Sequence, residues 1–196
     1  MPMENKQKQS SVLRFLGKMM LAIPGWRLNA NLPNLKKYII IVAPHTSNWD
    51  FYFGVAAKFY LNLNARWLGK HTIFRWPVKK LLLGIGGIPV DRSKRSGIVD
   101  QIAHYFNEEA QMILGLAPEG TRKRVHRWRT GFYYIALKAN VPILLAYIDY
   151  AKKEIGTGPL LTPSGDIHRD FEIIRDFYRT ITPLKPEKFA LPELNS

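Results

Sequence analysis

The stretch Tyr38-Ile-Ile-Ile-Val-Ala-Pro-His-Thr-Ser-Asn-Trp-Asp50 decides how the chain is expected to fold. Its first six residues, 38–43, form an uninterrupted apolar run, which is typical of a parallel strand buried on both faces. Pro44 ends this strand, and the mainly apolar residues from Trp49 to Leu61 predict a helix. His45 therefore lies in the turn after the carboxyl end of a strand, where open α/β sheets carry their active sites.

His45 and Asp50 are the first candidate catalytic pair. Asp50 falls in the first turn of the predicted helix, and two residues five apart do not share a face of a continuous helix. They meet if His45 lies in the turn and the carboxylate reaches back to the imidazole. An imidazole oriented by a carboxylate can act as a general base on a hydroxyl. The spacing alone also fits a turn histidine beside an aspartate that only complements the helix dipole.

A second apolar run, residues 111–117, leads into the segment Pro118-Glu-Gly-Thr-Arg122, and a third block is Gly86-Gly-Ile-Pro-Val-Asp-Arg92. Both arginines follow predicted strands, so we expect them at the same edge of the sheet as the first candidate pair. Arginine binds phosphate oxygens bidentately, and Gly120 lets backbone amides approach an anion. The alternative for either arginine is a solvated surface charge.

These blocks resemble those of the glycerolipid acyltransferase family, which contains the 1-acylglycerol-3-phosphate acyltransferases. Its members carry a histidine and an aspartate separated by four residues, then a Gly-x-Ile-x-Val-x-Arg block and a Pro-Glu-Gly-Thr-Arg block. A fourth block of the family has a Val-Pro-Ile core and is similar to Val141-Pro-Ile143. The four blocks occur in the family's order over residues 38–149.

The resemblance implies transfer of a fatty acyl group from a thioester donor to the hydroxyl of a lysophospholipid-type acceptor, in membrane phospholipid synthesis. It implies that His45 is the base and Asp50 its partner. The residues implied to hold the acceptor's phosphate and glycerol are Arg92, Glu119, Gly120, Thr121 and Arg122. The donor is expected to be acyl-CoA or an acyl carrier protein, which is a co-substrate, and neither a cofactor nor a metal is expected.

Three positions depart from the family's pattern. Ala117 and Lys123 stand where the family has an aromatic residue and a serine, and Pro44 stands where many members have asparagine. These departures spare the catalytic pair but leave the acceptor open, so a different lysolipid or amphiphile is an alternative. In another class of protein, the chain could be a catalytically inactive basic module that binds membranes or nucleic acid.

Composition and the order of the predicted elements limit which folds are possible. A chain of 196 residues fits one domain with a full core. Predicted strands and helices alternate, which indicates an α/β sandwich with a mostly parallel or mixed central sheet flanked by helices. The absence of cysteine excludes disulfides and thiolate metal sites. The net charge of +14 predicts an anionic partner. We expect an anionic membrane surface, and not nucleic acid.

The ends of the chain are expected to differ from the acyltransferase domain, residues 26–182. Residues 1–10 are polar and predicted to be disordered. Residues 11–25 predict an amphipathic helix that either lies in a membrane interface or packs on the domain. The proline-containing residues 183–196 predict a loose tail.

Residues 66–83 mix cations with aromatic rings, which is typical of a surface at a membrane interface. Stacking on single-stranded nucleic acid is the alternative for this segment. No apolar stretch is long enough to span a bilayer. We therefore expect a cytoplasmic protein that is peripheral on the inner face of the cell membrane.

Overall fold

The computed structural model describes residues 11–90 and 97–194. The predicted disorder of residues 1–10 and the predicted role of Arg92 concern positions outside these described residues. The helices of the described part are α1 (Ser11–Ala22), α2 (Trp49–Tyr60), α3 (Lys79–Gly84), α4 (Ile98–Glu108), α5 (Gly131–Ala139) and α6 (Ile167–Tyr178). Its strands are β1 (Arg27–Asn29), β2 (Lys37–Val42), β3 (Ala65–Lys70), β4 (Gly87–Val90), β5 (Met112–Leu116), β6 (Ile143–Asp149) and β7 (Glu154–Leu161).

The described strands form one sheet in the order β1-β7-β6-β2-β5-β3-β4. β2 pairs in parallel with both β5 and β6, so the apolar run that predicts a buried strand lies inside the sheet. β7 runs antiparallel to β6 and parallel to β1. The predicted α/β sandwich with a mixed central sheet is therefore confirmed.

Alternate residues of β2 supply the cores on the two faces of the sheet. Ile39 and Ile41 are buried with the apolar side chains of α4, α5 and α6. Tyr38 and Ile40 point to the other face, which α1 and α2 help to cover at its carboxyl end through Leu21, Phe53 and Ala56, which cluster with Trp26 and with Ile148 of β6. Burying one such aliphatic side chain stabilises the fold by about 1.5–3 kcal/mol.

α1 packs closely on α2 at Gly17. A Cβ at this position would lie 2.3 Å from the backbone nitrogen of Tyr60 and 2.6 Å from the carbonyl oxygen of Ala56. The two helices are thus in backbone contact, which only glycine allows. The opposite side of α1 leaves large apolar side chains exposed, among them Val12, Phe15, Leu16, Met19 and Ile23. The helix therefore packs on the domain by one side and offers an unpartnered apolar side to its surroundings.

The C-terminal segment differs from the expected loose tail over residues 183–194. Phe189, Leu191 and Leu194 are partly buried against the main core, and the amide of Glu193 donates to the carbonyl of His126 at 2.8 Å. The apolar residues of this segment have no helical or strand period, so its sequence does not reveal that they pack.

We predict that the same substitution has opposite effects in the two packed helices. Gly17→Ala should destabilise the protein by about 1–3 kcal/mol, because its methyl group meets the backbone of α2. Gly54→Ala lies in the interior of α2 with open space around its Cβ position, so it should stabilise by about 0.5–1 kcal/mol. Urea unfolding of both variants measures the difference, and two changes of the same sign would contradict the close helix contact.

Candidate active site

The turn between β2 and α2 brings the predicted pair together. Asp50 is 3% exposed, and its Oδ2 accepts hydrogen bonds from the backbone amides of Thr46 and Ser47, both at 2.7 Å. Nδ1 of His45 lies 3.4 Å from the same oxygen. The carboxylate thus reaches back over the turn, as the catalytic interpretation of the spacing requires. The imidazole is oriented by a buried acid at the carboxyl edge of the sheet.

Hydrogen bonding keeps Asp50 ionised in spite of its burial. Burial alone would raise the pKa of this carboxyl, but the contacts from His45, Tyr150 and the Ser47 amide outweigh it and lower the pKa below its ordinary value. A charged Asp50 can stabilise an imidazolium at the neighbouring ring, which is what a general base needs from its partner.

Tyr150 is a contact of this site that the sequence analysis missed. It lies immediately after β6, and its hydroxyl donates to Oδ1 of Asp50 at 2.6 Å. The only available signal in the sequence is its place at the end of a buried strand beside β2. The two oxygens of Asp50 are therefore held by different partners, Oδ1 by Tyr150 and Oδ2 by the turn.

Glu119, which the family resemblance implies for acceptor binding, lies behind the turn between β2 and α2, residues 43–48, which we call the catalytic turn. Its Oε1 accepts the backbone N–H of His45 at 2.9 Å, and the residue is buried. Its Oε2 is also buried and has no hydrogen-bond partner within the described part of the chain. Burial, partly offset by the His45 amide and reinforced by the charge of Asp50, raises the pKa of Glu119 to about 8. Glu119 supports the turn as a neutral acid at pH 7.

The loop after β5 places Arg122 beside the catalytic turn. The guanidinium of Arg122 donates from Nη1 to Oδ1 of Asn48 and is exposed. Thr121 accepts the amide of Lys123 on its hydroxyl at 3.2 Å. Of the predicted acceptor-binding residues that the structure describes, Arg122 is the one with an exposed charge, and it contacts Asn48 in the catalytic turn.

Gly120 shapes the same loop. Its φ of +66° lies in the left-handed region, and a Cβ there would lie 2.5 Å from Nε of Arg129. The side chain of Arg129 therefore packs directly over this glycine and adds another cation to the loop that carries Arg122.

These contacts define what the site can do chemically. A histidine oriented by an ionised carboxylate can take a proton from a hydroxyl, and nearby guanidinium groups can bind an anionic substrate. Among residues 11–90 and 97–194, no group of three histidine or acidic side chains is arranged to hold a metal ion.

Comparison with known proteins identifies related folds and sequences. The model of the family described as Acyltransferase matches residues 26–149. The crystal structure of the 1-acyl-sn-glycerophosphate (LPA) acyltransferase PlsC from Thermotoga maritima is similar, with a TM-score of 0.60 and 15% sequence identity. The similarity covers 86% of this chain and 77% of that chain and, at this identity, shows a shared fold. A search of curated proteins found no match.

We predict that Glu119→Gln changes how stability depends on pH. The ordinary pKa of 4.5 is raised to about 8 in the folded protein. Wild-type stability is therefore lost as pH rises between these values, because the unfolded chain releases a proton that the folded protein retains. Glutamine can still accept the His45 amide but does not ionise. The difference in free energy of unfolding between Glu119→Gln and wild type should therefore change by at least ~1 kcal/mol in favour of the variant as pH rises from 5 to 8.

Urea unfolding at a series of pH values makes this measurement. Glu172→Gln is the matched control, since Glu172 is exposed on α6. If the stability of wild type and of Glu119→Gln changed with pH in parallel, the pKa of the buried Glu119 carboxyl would not be raised in the folded protein.

Proposed function

Because the chain belongs to the acyltransferase family, we propose that it moves a fatty acyl group from a thioester donor to the hydroxyl of a lysophospholipid-type acceptor in membrane phospholipid synthesis. The observation that carries this proposal is the pair of His45 and Asp50. Nδ1 of His45 faces the carboxylate at 3.4 Å, which leaves the other ring nitrogen, Nε2, to act on the acceptor.

The proposed reaction needs one base and no covalent intermediate with the protein. Nε2 of His45 takes the hydroxyl proton as the acceptor oxygen forms its bond to the thioester carbonyl carbon. The tetrahedral intermediate then breaks its C–S bond, and the imidazolium returns the proton to the departing sulfur. Asp50 holds Nδ1–H and stabilises the imidazolium between these two steps. Since the chain contains no cysteine, it offers no thiol that could form a covalent acyl intermediate.

The proposed acceptor carries a phosphate, as 1-acylglycerol-3-phosphate does. Arg122 is exposed beside the turn, and its guanidinium can bind phosphate oxygens bidentately. Gly120 and Thr121 belong to the same loop, whereas Glu119 supports the turn from behind. The donor, acyl-CoA or an acyl carrier protein, is acidic and suits the net charge of +14.

A different lysolipid acceptor is the second candidate. Ala117 and Lys123 flank the Pro-Glu-Gly-Thr-Arg segment and depart from the family's pattern. Lys123 adds an exposed cation next to Arg122, which favours a headgroup that presents a second anionic group besides one phosphate. The intact pair of His45 and Asp50 argues against an inactive binding module.

We predict that thioester consumption depends on both the acceptor and His45. Purified protein is assayed with palmitoyl-CoA and with a palmitoyl carrier protein, each with and without 1-acylglycerol-3-phosphate. His45→Ala should lower kcat at least about a hundredfold, because it removes the base. His168→Ala is the matched control, since His168 is exposed on α6.

The acceptor panel separates the candidate functions. Transfer to another lysolipid in place of 1-acylglycerol-3-phosphate would keep the reaction class and correct the acceptor. If the wild-type protein consumed neither donor with any lysolipid, the acyltransferase proposal would fail in favour of the binding module.

An exposed apolar band lies next to this site and supports peripheral association with a membrane. Trp49, one residue before Asp50, is 59% exposed, and Trp76 is 91% exposed. We define the band by its exposed apolar residues Val12, Phe15, Ile23, Trp49, Phe51, Ile73, Trp76, Val78 and Leu81. Contiguous exposed apolar patches are typical of sites that bind proteins or membranes. No helix among the described residues is long and apolar enough to cross a bilayer.

A hydrogen bond and two ring contacts join the elements that carry the apolar band. The hydroxyl of Tyr52 donates to the carbonyl of Met20 at 3.1 Å, which joins α2 to α1. Phe51 contacts Trp67 with ring centroids 4.9 Å apart, and Trp67 stacks on Phe74 at 5.7 Å. These contacts join α2 to β3 and to the segment between β3 and β4, where the exposed cations are Lys70 at the end of β3 and then Arg75, Lys79 and Lys80. Such a surface suits an anionic lipid leaflet, which in a cell is the inner face of the membrane.

We predict that the protein binds vesicles containing phosphatidylglycerol more strongly than vesicles of phosphatidylcholine alone, because cations border the apolar band. The double variant Trp76→Ser with Leu81→Ser should bind at least about tenfold more weakly, since it removes exposed apolar area that would enter the lipid. Ile173→Ser is the control, because Ile173 is exposed on α6, across the sheet from α1 and α2. Vesicle flotation measures binding, and equal losses in both variants would contradict the membrane-binding role of the band.

A further inference from the structure

Tyr150 contacts the catalytic turn from a distant part of the chain. Its hydroxyl is 2.6 Å from Oδ1 of Asp50, although the two residues are 100 positions apart in the chain. The proposed proton transfers use only His45 and Asp50, so this hydrogen bond has no role in them as described. Tyr150 also follows Val141-Pro-Ile143, the last of the family-like blocks, by several residues.

The geometry of Asp50 shows why the contact matters. Oδ2 accepts two amides at 2.7 Å, whereas Nδ1 of His45 lies 3.4 Å away. The contact that orients the base is therefore the longest of the four, and a hydrogen bond at this distance weakens further if the carboxylate rotates away. Tyr150 holds the opposite oxygen and prevents that rotation.

Tyr150 is itself held rigidly. Its ring contacts Trp26 edge-to-face at 4.9 Å and Phe53 at 6.0 Å, and its amide donates to the carbonyl of Thr182 at 2.9 Å. The ring stays in place through these contacts if only the hydroxyl is removed. Burial, followed by the hydrogen bond to Asp50, raises the pKa of Tyr150 well above its ordinary value, so the hydroxyl keeps its proton as a donor.

We propose that Tyr150 is a positioning residue for the catalytic base: its hydroxyl fixes the rotation of the Asp50 carboxylate and thereby the orientation of His45. This inference rests on the proposed acyl transfer for its kinetic consequence. Its structural consequence is independent of the reaction, because Asp50 holds a proton on Nδ1 of His45 whether or not substrate is present.

The test compares Tyr150→Phe with Tyr147→Phe. Tyr147 lies on the same strand region, and its hydroxyl donates to Oε1 of Glu154, also at 2.6 Å. Both variants lose one tyrosine–carboxylate hydrogen bond and keep the ring. Tyr150→Phe should lower kcat about tenfold with an unchanged KM, whereas Tyr147→Phe should keep the wild-type kcat. In an Asp50→Ala background, Tyr150→Phe should have no further effect on kcat.

A second measurement does not need activity. In protein labelled with ¹⁵N-histidine, the ring nitrogens distinguish the two tautomers, and the His45 signal is the one that His45→Ala removes. The Nδ1–H form should predominate in wild type and in Tyr147→Phe and should fall in Tyr150→Phe.

The outcomes separate this inference from the proposed function. Equal kcat values for Tyr150→Phe and Tyr147→Phe in an active enzyme would overturn the positioning role alone. If wild type shows no transfer, the proposed function fails, and the tautomer signal decides instead: an unchanged Nδ1–H fraction in Tyr150→Phe overturns the inference, and a reduced one supports it.

Discussion

A buried charge must be compensated, and the compensation of Asp50 organises the rest of the site. An isolated carboxylate in the interior is too costly to persist, so it needs hydrogen bonds that favour its ionised form. The amides of Thr46 and Ser47 supply two of them, and these same amides define the turn that presents His45. The interactions that make the charge tolerable are therefore the ones that build the catalytic geometry. A change to these amide contacts would therefore affect both the charge of Asp50 and the position of His45.

Two carboxyl groups touch this turn, and their environments separate their roles. Asp50 accepts several donors and keeps its pKa below the ordinary value, whereas burial raises the pKa of Glu119 to about 8. At neutral pH the turn thus contains one negative charge and one neutral acid. A second charge would repel the first and compete for His45. Glu119 can accept the backbone N–H of His45 in either protonation state, and its neutral form leaves Asp50 as the charged partner of the imidazole.

The fold and the contact between His45 and Asp50 could be predicted because their signals are local. The apolar run 38–43 leaves few choices other than a buried strand, and His45 with Asp50 follows it within seven residues. β3 was missed, because the cations Arg66 and Lys70 give it the pattern of a surface. The loop that carries Arg122 was placed at the correct edge of the sheet. The direction of each side chain within that loop depends on packing that no local pattern records, so Glu119 was expected to face the acceptor.

Tyr150 is a second case in which a local sequence pattern does not reveal a side-chain contact, here because its partner is distant in the sequence. A tyrosine one residue past a buried strand has no period or spacing that ties it to residue 50. Its partner is decided by the sheet order, which places the end of β6 directly beside the end of β2. Such a contact becomes predictable only when strand neighbours are known. The catalytic geometry thus depends partly on the topology of the whole sheet.

The first turn of α2 joins the two surfaces that the proposed reaction needs. Trp49 is 59% exposed and its neighbour Asp50 is 3% exposed, so consecutive residues face the apolar band and the catalytic turn. Gly17 brings α1 into backbone contact with the other end of the same helix. A lipid acceptor keeps its acyl chain in the apolar phase while its hydroxyl must reach a base. One rigid helix that carries both a lipid-facing side chain and the partner of that base fixes the distance between them, without any motion of the domain.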